Sequence, residues 1–482
     1  MNGTVRETEF AGRRVTVAGL GVSGDGAARA LLARGAEVTL VDGGDGERRR
    51  AQAAELTAAG VEVRLGDGDT LPKGTELVVT SPGWRPEHPL FAAAAEAGVP
   101  VWGDVELAWR LRGPGAAPWL AVTGTNGKTT TTRMLAAILA AAGLRTAAVG
   151  NIGVPVVDAV LADPPYDVLA VELSSYQLHW APSPRAHSGA VLNLAPDHLD
   201  WHGSMAAYAA DKGRIYAGNE VACVYNVADQ ATEELVRAAD VVEGCRAVGF
   251  TLGPPAPSQL GVVEGLLVDR AFVERPDVAE ELAQVGDVDP PAPHNVANAL
   301  AAAALARAYG VPADAVRRGL ADYRPDPHRI SQVATVAGVA YVDDSKATNT
   351  HAALASLSAY PSIVWIAGGL AKGATFDELV AASADRLRGV VLIGADRRLI
   401  AEALARHAPD VPVVNLDRTD TGAMAAAVSE AARLARPGDT VLLAPACASM
   451  DMFTNYNVRG DAFAAAVRQL ATDPVDQEPN EQ

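Results

Sequence analysis

Ten residues, Ala121-Val-Thr-Gly-Thr-Asn-Gly-Lys-Thr-Thr130, constrain this chain more than any others. An apolar run, Trp119-Leu-Ala-Val122, leads into a loop containing Gly124, Thr125, Asn126 and Gly127. Lys128, Thr129 and Thr130 follow, then a helical stretch through Met134-Leu-Ala-Ala-Ile138. Strand, glycine loop and helix in this order predict a phosphate cradle. The first N–H groups of a helix lack partners, and its positive dipole end attracts anions. Lys128 adds a point charge for the outer phosphates, and the Thr129 hydroxyl suits Mg²⁺. The usual phosphate-loop spacing asks for a glycine five residues before the one preceding Lys. Here that position is Val122. The loop keeps the chemistry and departs from the spacing. Its plain alternative is a Gly-rich turn between a strand and a helix.

Composition bounds what surrounds the loop. At 482 residues, 49% of them hydrophobic, the chain has material for roughly three domains. The formal charge of −18 excludes nucleic acid and anionic membrane as natural partners. An anionic substrate must then be drawn by local positive groups. Cys223, Cys245 and Cys447 have no metal-ligand spacing and read as buried free thiols in a reducing compartment. The start, Met1-Asn-Gly-Thr-Val-Arg-Glu, has no apolar signal core, and no apolar run is long enough to span a bilayer. A soluble cytoplasmic protein without membrane insertion is expected.

Three α/β segments follow from the pattern. Residues 1–116 open with strand Arg14-Val-Thr-Val-Ala18, the turn Gly19-Leu-Gly-Val-Ser-Gly24, a helix, and strand Glu37-Val-Thr-Leu-Val41 ending at Asp42. This is a Gly-x-Gly-x-x-Gly fingerprint with an acid in place, suited to a dinucleotide or any other pyrophosphate ligand. Strand Glu76-Leu-Val-Val-Thr80 ends in Ser81, and the Pro-rich stretch 112–118 reads as a linker. Residues 117–325 begin at the phosphate loop and alternate strands, among them Val168–Val171 and Gly189–Leu192, with helices. That predicts a mainly parallel sheet covered on both faces. Residues 251–293 read as an insertion of irregular loops and short strands. After a second linker, Tyr323 to Arg329, residues 326–482 repeat the alternation, and the acidic tail 473–482 is expected to be disordered.

Several polar groups stand at predicted strand ends, the side where parallel sheets bind ligands. Glu172, in Val171-Glu-Leu-Ser-Ser-Tyr-Gln177, is placed to hold Mg²⁺ beside the loop; a solvated carboxylate is the alternative. Asp197, His198, Asp200 and His202 crowd one loop, suited to metal binding or proton transfer, or to structural packing. Lys212 falls on a helix, where a lone lysine is ordinarily a solvated surface group. Asn295 and Asn298 share a helix face and suit a base, a phosphate or a helix cap. Asp343-Asp-Ser-Lys-Ala-Thr-Asn349, Lys372 and Ser449 are polar groups after strands in the third segment.

Taken in order, Thr123-Gly-Thr-Asn-Gly-Lys-Thr129, Gly150-Asn-Ile-Gly153, Glu172-Leu-Ser-Ser-Tyr-Gln177, Pro196-Asp-His-Leu-Asp200, Asp344-Ser-Lys-Ala-Thr348 and Pro445-Ala-Cys-Ala-Ser449 resemble the Mur ligases. The resemblance runs from about Val15 to Phe463, and the off-pattern loop is the family's own form. It implies an N-terminal Rossmann-like domain that binds UDP, a central parallel-sheet domain with the ATP-binding loop, and a C-terminal Rossmann-like domain. It further implies a cytoplasmic step of peptidoglycan precursor synthesis. The Glu-Leu-Ser-Ser-Tyr-Gln run favours the branch adding D-glutamate to UDP-N-acetylmuramoyl-L-alanine through an acyl phosphate. The Asp-Asn-Pro-Arg run of diamino-acid adders is absent. A nicotinamide oxidoreductase would rest on Gly19 to Asp42 alone, and a non-catalytic regulator would not need both His198 and Lys212.

Residue by residue, the resemblance implies that ATP is held by Gly124, Thr125, Asn126, Gly127, Lys128, Thr129, Thr130, Asn295, Asn298, Arg329, Asp344 and Lys346. Magnesium, at two sites, would be held by Thr129, Glu172, His198 and an N-carboxylated Lys212; Lys128, Glu172, His198 and Lys212 form the catalytic set. Val22, Ser23, Ser81, Asn151, Ser174, Gln177 and His198 would meet the UDP substrate. Thr348, Lys372, Ser449 and Tyr456 would receive D-glutamate, whose two carboxylates need cations and donors. A monomer is expected. One departure is Gly43-Gly44, where the family has a hydroxyl and an arginine; Arg48 or a neighbouring arginine is then the candidate substitute. Tyr456 stands where Phe is common.

Overall fold

The computed structural model describes residues 9–275, 277–325, 327–418, 420 and 422–472. The tail 473–482 lies outside the described residues. The chain forms two compact units, 1–323 and 324–482. Together they hold three sheets.

The first sheet consists of β1 (Arg14–Ala18), β2 (Glu37–Asp42), β3 (Glu62–Leu65), β4 (Leu77–Thr80) and β5 (Val101–Gly103), in the order β3-β2-β1-β4-β5. All its pairs are parallel. Two of the three fingerprint glycines have a steric reason to lack a side chain, and Gly21 has none. Gly19 has φ +101°, Gly21 faces open space, and a Cβ on Gly24 would collide with the Gly19 carbonyl. Helix Val22–Leu32 therefore starts pressed against the end of β1.

The second sheet has nine strands: β6 (Trp119–Thr123), β7 (Ala148–Gly150), β8 (Leu169–Glu172), β9 (Ser188–Val191), β10 (Ala222–Asn226), β11 (Arg246–Phe250), β12 (Gln259–Val263), β13 (Leu266–Asp269) and β14 (Glu280–Gln284). Their order is β14-β13-β12-β11-β10-β9-β6-β8-β7, with β6 between β8 and β9. A strand flanked on both sides, its residues all buried, needs apolar side chains on both faces, which Trp119-Leu-Ala-Val122 provides. Helices Lys128–Ala141, Pro293–Ala308 and Ala313–Asp322 pack together over one face. The middle one is so alanine-rich and enclosed that it is buried nearly all round. The stretch 251–293, expected to hold irregular loops and short strands, does contain short strands, and they pair into the sheet. Strand β12 pairs parallel with β11, and β13 pairs antiparallel with both β12 and β14, continuing the sheet with a bulge between Leu267 and Val268. Short strands separated by glycine and proline carry little periodicity, so their pairing is not visible before the sheet edge exists.

The third sheet consists of β15 (Ser331–Val336), β16 (Val339–Asp343), β17 (Ile363–Gly368), β18 (Leu387–Ile393), β19 (Val413–Asn415) and β20 (Thr440–Leu443), in the order β15-β16-β20-β17-β18-β19. Only the β15–β16 pair is antiparallel. Cys223 and Cys447 are buried, while Cys245 is partly exposed; the Cys223 and Cys245 sulfurs are 3.9 Å apart. No helix among the described residues is long and apolar enough to cross a membrane.

Candidate active site

The phosphate loop joins β6 to helix Lys128–Ala141, and its shape is held from three sides. Asn126 N–H donates to Asn193 Oδ1 at 2.8 Å, and Asn193 Nδ2 returns a bond to the Asn126 carbonyl at 3.1 Å. The Thr125 hydroxyl lies 3.0 Å from the Tyr208 hydroxyl. Gly127, the helix N-cap, has φ +83°, and a Cβ there would collide with Asn298 Oδ1. Lys128 Nζ folds back to the carbonyls of Gly124 and Thr125 at 3.0 and 2.9 Å. Thr129 and Thr130 are buried in the first turn.

Asn298 therefore backs the loop from behind, and its Nδ2 donates to Asn295 Oδ1 at 3.3 Å. Asn295 donates in turn to the Pro290 carbonyl at 3.2 Å. The shared helix face is as expected, and these contacts make the pair a brace for the loop.

Lys212 is the largest departure from what its sequence setting alone suggests. It lies in helix Met205–Gly213 and is 2% exposed, not a solvated surface group. Its Nζ donates to the Gly124 carbonyl at 2.8 Å and sits 4.7 Å from the Tyr208 ring centroid. Burial, reinforced by the Lys128 charge, holds its amine well below the ordinary lysine range; Asp197 and Glu172 oppose this. An amine kept from protonation is a nucleophile.

Glu172 ends β8, in register with Val122 on β6. It is 1% exposed. Its Oε1 accepts from Asn151 Nδ2 at 2.8 Å, whereas Oε2 is buried with no donor among the described residues. A buried carboxylate oxygen left so is costly unless a cation completes it.

Of the four groups expected on one loop, Asp197 stays beside His198, its Oδ1 accepting the His198 N–H at 2.9 Å, while Asp200 and His202 turn to further partners. His198, at φ +53°, caps helix Leu199–His202 and packs on the Tyr176 ring at 4.9 Å. Asp200 is exposed and pairs with Arg85 at 2.8 Å. The His202 side chain is fully buried, 3.0 Å from Asp211 Oδ2 and 3.0 Å from Ser175 Oγ. Among the described residues no three His, Cys, Asp or Glu side chains are arranged to hold a metal ion. A site built on Glu172 and His198 thus needs a further anionic ligand.

On the side of the first sheet, Val22 is exposed, and Ser81 Oγ is 3.5 Å from the Gly19 carbonyl. Ser23 donates to Asp104 Oδ2 at 3.0 Å, and Gln177 Nε2 donates to the same oxygen at 3.2 Å. Burial raises the Asp104 pKa against these hydrogen bonds. Ser174 and Gln177 also form the capping box of helix Ser175–His179. Asp42 is buried. It accepts from the Leu20 and Gly44 N–H groups, each at 2.7 Å, and pairs with Arg49 at 3.2 Å. A Cβ on Gly44 would run into the Arg49 guanidinium, so the glycine in the departing loop is what admits that arginine.

In the second unit, Lys346 Nζ lies 3.9 Å from the Tyr456 ring centroid. The Ser345 hydroxyl donates to the Tyr456 carbonyl at 2.7 Å. Asp344 is buried, hydrogen-bonded to Ser356, and pushed up to about 6 by burial, with Arg329 opposing. Lys372 adopts φ +49° and Ser449 is buried at a turn. Thr348 N–H bonds to the Lys346 carbonyl at 2.8 Å. The organiser here is Arg459, which sequence reading passed over. Buried in helix Tyr456–Thr472, it donates to Ser345 Oγ, the Ser345 carbonyl and the Cys447 carbonyl at 3.0, 2.8 and 3.1 Å. Asp104, Asp211 and His179 were likewise missed. None stands in a motif, and the contacts that link Asp104 to Ser23 and Gln177, and Asp211 to His179, span 32 to 81 residues.

Comparison with known proteins agrees with this geometry. Residues 13–103 match the Mur ligase MurD-like N-terminal domain, 122–306 the Mur ligase middle domain, and 328–447 the Mur ligase glutamate ligase domain. A protein of Streptomyces avermitilis named UDP-N-acetylmuramoylalanine–D-glutamate ligase is 79% identical over 96% of this chain and 99% of its own length. One of the same name from Streptomyces coelicolor is 78% identical over 96% and 99%. The crystal structure of MurF from Acinetobacter baumannii shares the fold, with TM-score 0.57 at 17% identity, over 94% of this chain and 93% of that one. On sequence, fold and site together, this chain belongs to the Mur ligase family.

Proposed function

We propose that this chain is the ATP-dependent ligase that joins D-glutamate to UDP-N-acetylmuramoyl-L-alanine. A free carboxylate is a poor electrophile. The alanyl carboxylate oxygen therefore attacks the γ-phosphorus of ATP, and ADP leaves. The D-glutamate amine attacks the acyl carbon, the nitrogen loses a proton, and the tetrahedral intermediate expels phosphate. Lys128 and the N–H groups of the phosphate loop offset the charge that builds as anion meets anion. Lys346, Lys372, Ser449, Thr348 and Tyr456 are the groups we assign to ATP or glutamate in the second unit. The exposed Val22 and the Gly19–Gly24 turn are assigned to the uridine diphosphate.

The observations that carry this reading are the buried Lys212 amine at the Gly124 carbonyl and the buried Glu172, whose Oε2 has no donor among the described residues. That set fits a magnesium site once the amine is carbamylated. Its nitrogen adds to the carbon of CO₂ and releases a proton, turning a cation into a carboxylate-like ligand. Thr129, Glu172, His198 and carbamylated Lys212 would hold the metal. Bound magnesium supplies Lewis-acid neutralisation of phosphate charge. The reading carries with it a cytoplasmic setting and a monomer.

The test is phosphate release with UDP-N-acetylmuramoyl-L-alanine, ATP, Mg²⁺ and a panel of amino acids. Turnover with D-glutamate and little with L-glutamate or diamino acids is expected. Equal rates across the panel would refute the specificity.

A further inference from the structure

Lys212 has a neighbour that its own chemistry does not use. Successive helix positions point about 100° apart, so Asp211 faces away from the phosphate loop. It is 5% exposed. Its Oδ2 lies 2.9 Å from His179 Nδ1 and 3.0 Å from His202 Nδ1, and its Oδ1 lies 3.2 Å from Arg214 Nε. Arg214 also donates to the His179 carbonyl at 2.8 Å. Burial holds the His202 imidazole below its ordinary pKa, against the pull of Asp211. A neutral ring with its proton on Nδ1 donates to Asp211 and accepts at Nε2 from Ser175, satisfying each atom.

The partners come from three segments. His179 ends the helix that begins just after Glu172. His202 ends the helix capped by His198. Asp211 directly precedes Lys212. One buried carboxylate therefore ties together the three segments carrying Glu172, His198 and Lys212. The stacking of Tyr176 on His202, with planes 8° apart, closes the same cluster.

We propose that Asp211, through His179 and His202, is the positioning residue that sets Glu172, His198 and Lys212 in the arrangement needed to carry the Lys212 carbamate and bind a divalent cation. This rests on the reading of Lys212 as a carbamylated lysine. Asp211 touches no reacting atom. Its effect is the one outer partners have on metal ligands, typically 10- to 100-fold in affinity.

The experiment uses the full chain without substrates and compares it with Asp211→Asn, His202→Phe and His202→Asn. Carbamate is read as the ¹³C signal of enzyme equilibrated with ¹³C-bicarbonate, and cation binding as the Mn²⁺ dissociation constant from electron paramagnetic resonance. Asp211→Asn loses one acceptor. His202→Phe keeps the ring and loses both bonds, whereas His202→Asn keeps a donor in the Nδ1 position. Mn²⁺ affinity is expected to fall about 10-fold or more in Asp211→Asn and His202→Phe, with a weakened carbamate signal, and to recover largely in His202→Asn. If Asp211→Asn does not fold, the contrast between His202→Phe and His202→Asn decides. A carbamate signal and Mn²⁺ affinity unchanged in the folded variants would overturn the proposal alone. A carbamate signal missing from the unaltered chain would overturn the Lys212 reading and this proposal with it.

Discussion

The Lys212 amine and the Gly124 carbonyl, 88 residues apart in sequence, meet at 2.8 Å inside the second sheet's ligand edge. With the Tyr208–Thr125 hydroxyl contact at 3.0 Å, it joins the helix Met205–Gly213 to the phosphate loop. Lys212→Ala is expected to lower kcat by about 100-fold or more, with partial recovery on adding bicarbonate, formate or acetate. Steady-state kinetics with and without the small anions check it. A fully active variant would remove Lys212 from the mechanism.

Glu172→Gln replaces a buried anionic oxygen that has no donor among the described residues. If that oxygen serves only structure, neutralising it costs nothing or stabilises the fold. If it serves a cation, the Mg²⁺ concentration for half-maximal activity rises on the order of 10- to 100-fold. We expect the second result together with an unchanged or higher melting temperature. Thermal melts and a Mg²⁺ titration of activity separate the two.

Gly127→Ala is expected to raise the KM for ATP and to destabilise the chain. The left-handed backbone alone costs about 1–2 kcal/mol with a side chain, and the new Cβ collides with Asn298. Adding Asn298→Ala removes the collision and leaves the backbone cost. The double variant should therefore recover part of the lost stability, a non-additive result measurable by urea unfolding. Strict additivity would mean that the two residues do not press on each other.

Asp344 supplies a pH dependence whose sign can be worked out. Its carboxyl is pushed up from 3.8 to about 6 by burial, against the Ser356 hydrogen bond. Between those values the folded state binds the proton more tightly than the unfolded one, so stability falls as pH rises. Below about pH 4 the group is neutral in both states and there is no penalty; above about pH 6 the penalty is complete. Asp344→Asn mimics the neutral form. Relative to the unaltered chain its stability should rise across that window by on the order of 2–3 kcal/mol, then stay level. Denaturant unfolding of both chains at pH 4.5 and pH 7.5 checks the trend, and an advantage of the variant over the unaltered chain no larger at pH 7.5 than at 4.5 would contradict it.

Some of this was legible without coordinates because it is local. Trp119 to Thr130 spell strand, turn and helix in one contiguous stretch, and β6 with helix Lys128–Ala141 follows them. Gly19, Gly21 and Gly24 likewise announce a tight turn pressed against a strand. In segment 251–293 the short strands were legible but their pairing was not, for the opposite reason. Its strands are short and pair at an edge whose apolar demand comes from the neighbouring strand β11. The loop from Asp197 to His202 misled in its own way. Asp197 stays on His198, Asp200 turns out to Arg85 and His202 turns in to Asp211, because a tight helical turn points neighbours in different directions.

What the sequence by itself determined is the kind of layers, the phosphate loop and the set of chemical groups, since periodicity and contiguous motifs act over a few residues. What only the tertiary structure decided is their state. Lys212 is poised by the water-excluding walls around it, Glu172 is left one oxygen short of a donor, and Asn298 is driven against Gly127. Asp211 and Arg459 acquire their roles from partners on other segments. Burial and long-range pairing set protonation, unsatisfied atoms and steric fit, and those depend on which surfaces the folded chain removes from water.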